Sequence, residues 1–424
     1  MPCMGTVTIA NARILTMAGS TGPRRGEALR NPGLIEHGHI TIAEGLITEI
    51  VEGDYEPKPE EEVLDVNGCV LMPTFVDCHT HACWAGNRLD EFERKLRGDS
   101  YLDILKDGGG IMSTVRDVRE ASEEELTLKL LHRLSCMAAL GTGTIEIKSG
   151  YGLNTEHELK MLRAIHIAST QTHQTVVGTF LGAHAIDPEN PNYIDETIEE
   201  TLPAVESEFP GIVCDAYCEE GAWSLKQTQR LFEKAMELGC PLRVHADQFN
   251  SLGMTKLAVD MGALSVDHLE AITPEDLRYL AQSQTVGVAL PGCGFHLDDR
   301  YAPARRFVDE GGLLAIATNY NPGSSPTQSM PFVIALACRK LHLTPLEAIA
   351  CSTYNAACVL GLQDQVGSLE VGKRAHIQVL DCTDERELAY ELATPGPLLV
   401  VIGGQVAHLR SYDPGGDEEP DEEE

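Results

Sequence analysis

Basic residues are scarce in this sequence, which has 32 Lys and Arg against 65 Asp and Glu in 424 residues and a formal net charge of −33. A nucleic acid would approach a surface that repels it, and few counterions could be released on binding. Anionic membrane surfaces are disfavoured for the same reason. We therefore expect no nucleic-acid partner and no membrane association.

Long apolar runs and paired cysteine motifs are also missing. The first residues contain no basic segment followed by an apolar one, and nowhere do about 18 apolar residues follow one another. The 13 cysteines are odd in number, lie mostly inside apolar stretches and include no CxxC pair. This usage indicates reduced thiols, and we expect a cytoplasmic protein.

Two segments with the sequence pattern of short β-strands lie near the two ends of the chain. They show alternating polarity, β-branched side chains and interrupting glycines, as in HITIAEGLITEIVEG, GSLEVGKRAHIQVLD and LLVVIGGQVAHLR. We predict that residues 1–70 and 363–411 together form one small β-sandwich. Acidic residues and breakers dominate the end of the chain, so residues 412–424 are predicted to be a disordered tail.

Between these segments, over residues 71–362, short β-rich runs alternate with amphipathic helical stretches. The alternation predicts an α/β fold, a (β/α)₈ TIM-like barrel, with an open doubly wound parallel sheet as the alternative. A chain of 424 residues is long enough for such a barrel and a smaller module. The eight candidate strands are in MPTFVDCHTH, GTGTIEIKSG, TVVGTFLGAH, IVCDAYCEE, PLRVHADQ, LSVDHLE, TVGVALPGC and LLAIATNYNPG.

Most of the predicted strands end in a polar or titratable residue. Because the carboxyl ends of parallel barrel strands meet at one mouth, we expect these side chains to surround a single site. They are His79, His81, Glu146, Lys148, His184, Glu219, His245, His268 and Asn319.

His79 and His81 are two residues apart at the end of the first barrel strand, so both imidazoles point to the same side. Such a pair can bind a divalent ion through neutral nitrogens. Half-buried histidines at strand ends are common, so the pair alone is weak evidence, which His245 and His268 at later strand ends strengthen. Cys78 is an alternative soft ligand, but adjacent strand residues face opposite sides.

Long segments between Met72 and Lys373 carry a resemblance to a known family. They read FVDCHTH, GNRLDEFERKLRG, GGGIMSTVR, IKSGYGLNTEHELKMLR, TFLGAHA, CDAYCEEG, HADQFNSLG, DHLE, NPGSSPTQSMP and GSLEVGKRA. On these segments the chain resembles the imidazolonepropionases, histidine-degrading members of the amidohydrolase superfamily. The resemblance implies a barrel with a flanking β-sandwich, one zinc or iron ion per subunit, and a homodimer.

The resemblance also implies a small-molecule substrate, 4-imidazolone-5-propanoate, whose ring C–N bond is hydrolysed to give N-formimino-L-glutamate. Matched position by position, it implies metal ligands at His79, His81 and His245. His268 could stabilise the developing oxyanion or move a proton, while Gln248 can hydrogen-bond the ring or water but cannot be a base. The guanidinium of Arg88 suits the propionate carboxylate. The substrate-contacting positions are Arg88, Tyr151, His184, Asn321, Gly323 and Ser324.

One position departs from the family pattern. The family has a metal-binding aspartate at the end of the eighth strand, within Thr-Asp-Phe-Asn-Pro-Gly, where this chain has Asn319 within TNYNPG. An asparagine can offer the ion only a neutral amide oxygen, and it cannot act as a base. His268 could then take over proton transfer, the chain could have lost turnover, or its sequence could have been altered to trap substrate.

Two other functions stay open at this point. The barrel could be a ligand-binding protein descended from a hydrolase. It could also be another cyclic amidohydrolase with two metals and a carboxylated lysine, for which Lys148 is the candidate, although IKSGYGL matches the imidazolonepropionase loop instead.

Overall fold

The computed structural model describes residues 5–57, 62–99 and 109–410. The predicted disordered tail, 412–424, lies outside the described residues. Two separate eight-stranded sheets organise the chain, of which one is the parallel barrel and the other gathers strands from both chain ends. The predicted fold class is thereby confirmed.

The sheet made by the chain ends contains β1 Val7–Leu15, β2 Leu34–Ala43, β3 Leu46–Glu52, β4 Glu62–Asp65, β5 Val70–Pro73, β14 Ile377–Val379, β15 Leu399–Ile402 and β16 Gln405–Leu409. Its strand order is β16-β15-β14-β5-β1-β2-β3, with β4 pairing with β1. Strand β5 joins the strands from the two ends of the chain, because it pairs in parallel with β1 and antiparallel with β14. Buried β-branched and leucine side chains form the core of this sheet. The predicted boundaries at 70/71 and 362/363 stay a prediction.

The eight barrel strands are neighbours in space in the order in which they follow along the chain. Every adjacent pair is parallel. Continuous burial along strands such as Thr142–Lys148 agrees with a sheet that is covered on both faces. The strands are β6 Phe75–Asp77, β7 Thr142–Lys148, β8 Thr175–Ala183, β9 Val213–Cys218, β10 Leu242–Ala246, β11 Ser265–His268, β12 Val286–Ala289 and β13 Leu314–Ile316.

The barrel closes through the segments that follow β6 and β13. A parallel bridge joins Thr80 to Tyr320, and the N–H of Asn319 donates to the carbonyl of His79 at 3.0 Å. The buried Asp77 carboxylate accepts bonds from Thr318 N at 3.1 Å and Oγ1 at 2.6 Å. The open doubly wound alternative is therefore wrong, and closure brings two predicted site residues together.

Helices separate the barrel strands and cover the barrel. The helix Glu123–Ala139 illustrates why they form: Ser122 caps it by accepting from Glu125 N at 3.1 Å, and three glutamates in its first turn complement its dipole. None of the helices in the described ranges has both the length and the apolar character that crossing a membrane requires.

The α-helices are Leu89–Leu96, Ile111–Glu120, Glu123–Ala139, Thr155–Gln171, Tyr193–Glu196, Leu202–Glu208, Leu225–Glu237, Met254–Asp260, Pro274–Ala281, Pro291–Leu297, Ala304–Asp309, Met330–Lys340, Pro345–Cys351, Tyr354–Val359 and Glu387–Tyr390. A 3-10 helix spans Gly26–Arg30 and a π-helical turn spans Thr197–Thr201.

Candidate metal centre and active site

The three histidines predicted to bind a metal lie together at the carboxyl end of the barrel strands. The ring centroids of His79 and His245 are 4.5 Å apart, and each lies 5.3 Å from the ring of His81. All three side chains are buried. Residues separated by more than 160 positions along the chain thus form one imidazole cluster.

A fourth imidazole belongs to the same cluster. One ring nitrogen from each of His79, His245 and His268 lies within 4.8 Å of the others. Nε2 of His81 lies 3.3 Å from Nε2 of His245. The group of ring nitrogens that lie within 4.8 Å of one another thus contains His268 and does not include His81, whose recorded close contact is with His245.

Two buried carboxylates orient the rings. Nδ1 of His79 lies 2.6 Å from Oδ2 of Asp267, and Nδ1 of His245 lies 3.1 Å from Oδ1 of Asp215. A carboxylate is an acceptor, so each Nδ1 carries the proton and each Nε2 keeps its lone pair for a metal. This arrangement gives both rings the tautomer that metal binding through Nε2 requires.

Unsatisfied buried atoms beside the cluster fit a cation. Nε2 of His79 and Oδ1 of Asn319 are buried and have no hydrogen-bond partner among the described residues, and neither has Nδ1 of His81, the ring nitrogen opposite the Nε2 that lies beside His245. Burial lowers the pKa of His79 and of His81 well below the ordinary value, so both rings are neutral. Neutral imidazoles with free lone pairs are the ligands that zinc and iron accept.

Asn319 occupies a strained position beside His79. Its φ is +53°, a left-handed conformation that asparagine tolerates better than most residues. Its carbonyl accepts a bond from Asn321 Nδ2 at 2.6 Å. The expected strand ends early, at Ile316, and the turn that follows brings Asn319 into the lining of the cavity that His81, His245 and His268 also line.

Behind the cluster lies a network of buried charges that the sequence analysis did not identify as a unit. Nζ of Lys148 lies 2.7 Å from Glu146 and 2.8 Å from Asp215. Arg243 contacts Oδ2 of Asp267 at 2.7 Å and Glu146 at 3.4 Å. A carboxylated Lys148 would be an anion facing two further anions, which disfavours the binuclear alternative.

Cys78 does not take part in the imidazole cluster. It packs in a buried apolar cluster with Val76 and Val288, and burial raises the pKa of its thiol. The strand alternation that made it a poor candidate ligand accounts for this position.

The imidazole cluster opens into a cavity of about 790 Å³. Among the lining residues are nearly all of the predicted site residues, and His79 lies outside the lining. The predicted residues that line it are His81, Arg88, Tyr151, His184, His245, Gln248, His268, Asn319, Asn321, Gly323 and Ser324. The cavity also includes Lys95, which the sequence analysis missed although it lies two helical turns after Arg88.

Arg88 is held in place at the cavity wall. Its Nη2 lies 2.5 Å from Oε2 of Glu91 and its Nη1 lies 3.3 Å from Oγ1 of Thr114. Nε is buried and has no partner among the described residues. The guanidinium is therefore fixed and retains a donor for an anionic group.

The loop that carries Tyr151 is fixed by a buried carboxylate. Glu158 accepts bonds from the backbone N–H groups of Gly150, Gly152 and Leu153 at 2.8–3.0 Å. These bonds hold the Tyr151 ring with its centroid 5.2 Å from that of His184.

His184 stacks on His81, with centroids 4.8 Å apart and ring planes 20° apart. Its Nδ1 lies 3.0 Å from the carbonyl of Gly150, so Nδ1 carries the proton. Burial lowers the pKa of His184 to about 3, and the ring is neutral.

The loop after β13 is a polar turn organised by Asn321. Its Oδ1 accepts from the N–H groups of Gly323 and Ser324 at 2.8 Å, and its Nδ2 donates to Ser324 Oγ at 2.9 Å. Nη1 of Arg88 lies beside Gly323, 3.5 Å from the position a β-carbon would occupy. The turn therefore forms part of the wall next to the guanidinium.

Two further predicted residues, Gln248 and His268, also line the cavity. Gln248 donates from Nε2 to Sγ of Cys293 at 3.3 Å. Nδ1 of His268 lies 3.2 Å from Oε1 of Glu270.

Comparison with known proteins agrees with these observations. Residues 70–407 match the amidohydrolase family. The imidazolonepropionase of Herpetosiphon aurantiacus is 43% identical over 404 residues, covering 92% of this chain and 94% of the relative. That of Haloarcula marismortui is 42% identical over 385 residues, covering 89% and 91%.

Solved structures share the fold at low sequence identity. The 5-methylcytosine deaminase from Klebsiella pneumoniae has a TM-score of 0.73 at 15% identity, covering 96% of this chain and 98% of that chain. An adenosine deaminase from Xanthomonas campestris with bound zinc has a TM-score of 0.70 at 14% identity, covering 97% and 95%. At this identity they support the barrel alone, whereas the matches at 42–43% identity above identify the relatives. This chain is a hydrolase that acts on carbon–nitrogen bonds, and it belongs to the amidohydrolase family and, within it, to the imidazolonepropionases.

Proposed function

We propose that this protein hydrolyses the ring C–N bond of 4-imidazolone-5-propanoate to N-formimino-L-glutamate, a step of histidine degradation. The observation that carries the proposal is one cavity that is lined both by His81, His245 and His268 of the imidazole cluster and by the fixed guanidinium of Arg88. Relatives named imidazolonepropionase, 38–43% identical over most of the chain, support the same substrate.

One divalent ion, zinc or iron, is assigned to His79, His81 and His245, with Oδ1 of Asn319 as a further donor. The neutral rings and the unpartnered buried atoms described above support this set. When bound, such an ion polarises the carbonyl group that water attacks and promotes loss of a proton from water.

The charge of the cation would be balanced by buried side chains that do not contact it. The proposed ligands carry no formal charge, whereas the buried network behind them has three carboxylates, Glu146, Asp215 and Asp267, against Lys148 and Arg243. Asp215 and Asp267 bond directly to ligand rings. The net negative charge of this network stabilises a cation at the rings.

The cavity walls would orient the substrate. Arg88 binds the propionate carboxylate through a charge-assisted hydrogen bond. Tyr151 and His184 border the imidazolone ring, and the polar turn of Asn321, Gly323 and Ser324 lies beside the carboxylate subsite. Gln248 hydrogen-bonds the ring or the attacking water, and His268 moves a proton.

The test combines metal analysis with an ultraviolet assay of imidazolone consumption. We expect one zinc or iron per chain and loss of the substrate absorbance. His81→Asn is expected to lower both, whereas His166→Asn, on the exposed face of a helix, is expected to change neither. Metal-replete protein that binds the compound without consuming it would contradict the proposal, and two ions per chain would favour a binuclear relative.

Neither the described residues nor the comparisons offer an observation that supports the catalytically impaired alternative. We propose in addition a cytoplasmic homodimer. The described cysteines are free, which fits a reducing compartment, and the resemblance to the family supports the dimer. Light scattering of the purified protein tests the dimer, for which a monomer mass is the contrary result.

A further inference from the structure

Three histidines in the imidazole cluster each have a carboxylate at Nδ1. His79 pairs with Asp267 and His245 with Asp215, and both of these rings are proposed ligands. The third ring, His268, has Oε1 of Glu270 at 3.2 Å from its Nδ1. His268 lies outside the proposed ligand set, so its pairing with a carboxylate calls for a different explanation.

We propose that Glu270 is a positioning residue that holds His268 with its proton on Nδ1 and its Nε2 available to transfer a proton in the reaction. The inference rests on the proposed hydrolysis. As water bonds to the ring carbonyl carbon, Nε2 accepts the proton that water loses. When the ring C–N bond breaks, the same nitrogen gives the proton to the departing ring nitrogen.

Burial makes the pairing of His268 and Glu270 strong and specific. Their side chains are 3% and 5% exposed, so water competes little for either group. A carboxylate oxygen can only accept, which assigns the proton of His268 to Nδ1. Oε2 of Glu270 is buried without a hydrogen-bond partner in the described part of the chain, so the carboxylate has no other strong attachment there.

The backbone is strained where it brings the two side chains together. His268 has a φ of +91° and Leu269 a φ of +74°, two consecutive left-handed conformations at residues other than glycine. Such strain is costly and collects at functional sites. This turn places the Glu270 carboxylate against the ring of a residue only two positions earlier.

Four other polar side chains in the cavity are less suited to this step. The amides of Asn319 and Gln248 have no useful basicity. Glu219 already accepts bonds from Phe249 N at 2.8 Å and from Asn250 N at 3.2 Å and Nδ2 at 2.8 Å. His184 has a backbone carbonyl at Nδ1, where His268 has a carboxylate.

The experiment compares Glu270→Ala with Glu270→Gln in the metal-loaded enzyme. The glutamine oxygen can still accept from Nδ1 but carries no charge, so we expect kcat to fall about 10²-fold for Ala and clearly less for Gln. KM and metal content are expected to stay within about twofold of the wild type for both. Glu275→Gln, at an exposed glutamate five residues further along, is the matched control and should keep full activity.

A second readout does not depend on turnover. Nitrogen-15 NMR of labelled histidine, with the His268 signal assigned from the His268→Asn variant, is expected to show the Nδ1–H tautomer in the wild type and its loss in Glu270→Ala. An unchanged tautomer, equal effects of Ala and Gln, or metal loss like that of His81→Asn would overturn the inference. If the wild type does not consume the imidazolone, the proposed function fails, and the tautomer alone decides whether Glu270 positions His268.

Discussion

Oδ2 of Asp267 lies 2.6 Å from Nδ1 of His79, although 188 positions separate the two residues along the chain. The same oxygen accepts from Nη2 of Arg243 at 2.7 Å. One buried carboxylate thus orients a proposed ligand and neutralises a buried guanidinium. The arrangement links metal affinity to a charge network that does not itself contact the ion.

Asp267→Asn should weaken metal binding by about 10- to 100-fold, because the ring loses the anionic partner that raises its basicity. Competition with a chelator measures the affinity directly. Asp260→Asn, which removes a carboxylate at the surface, should leave it unchanged. Equal metal retention in all three proteins would show that Asp267 has only a structural role.

Asn319→Asp should raise kcat/KM on imidazolonepropionate by about tenfold or more and tighten metal retention under a chelator. An aspartate side chain has nearly the same shape as an asparagine side chain. The buried Oδ1 of Asn319 has no hydrogen-bond partner in the described residues. Steady-state kinetics on protein of known metal content measure the effect. If neither quantity increased, a carboxylate at position 319 would act neither as a base nor as a metal ligand in this site.

Arg88→Met should lower kcat/KM by about 10- to 100-fold for the propionate substrate, because a charge-assisted hydrogen bond of about 1.5–3 kcal/mol is lost. An imidazolone that lacks the carboxylate should react equally with both proteins. Arg306→Met removes an exposed arginine that pairs with Glu310 and serves as the control. Equal losses on both substrates would place the role of Arg88 outside carboxylate recognition.

The buried His376 is expected to make the folded protein less stable as the pH falls. Its Nδ1 accepts from Gly403 N at 3.2 Å, and burial, with Arg374 nearby, lowers its pKa to about 3. Between about pH 6.5 and pH 3, His376 is protonated in the unfolded chain but stays neutral in the folded chain. The free energy of unfolding therefore falls as pH falls, by up to ~1.4 kcal/mol per pH unit from this group.

His376→Asn keeps an acceptor for Gly403 and removes the titration. Urea unfolding at pH 7 and at pH 5 should show a smaller loss of stability for this variant than for the wild type. An unchanged difference between the two pH values would mean that His376 is not the neutral, buried group described here. His166→Asn, at the surface, should behave like the wild type.

The barrel and the imidazole cluster could be predicted because their signals are local. Polar residues at the ends of alternating strands, His79 with His81 above all, indicated which side chains would meet. Asp215 and Arg243 could not be found this way, because they lie inside buried strands and their partners come from other strands. Glu270 follows His268 closely, but only the two left-handed residues between strand and loop turn it toward that ring.

The hydrogen bonds that join the segment after β6 to the segment after β13 have a consequence for biosynthesis. His79 emerges early from the ribosome, yet its backbone is fixed by Asn319, which emerges after more than half of the remaining chain has been made. A nascent chain that ended before Asn319 would lack the backbone hydrogen bond that fixes His79. We therefore expect cation capture to be a late event in the maturation of this protein, after translation has passed the eighth strand.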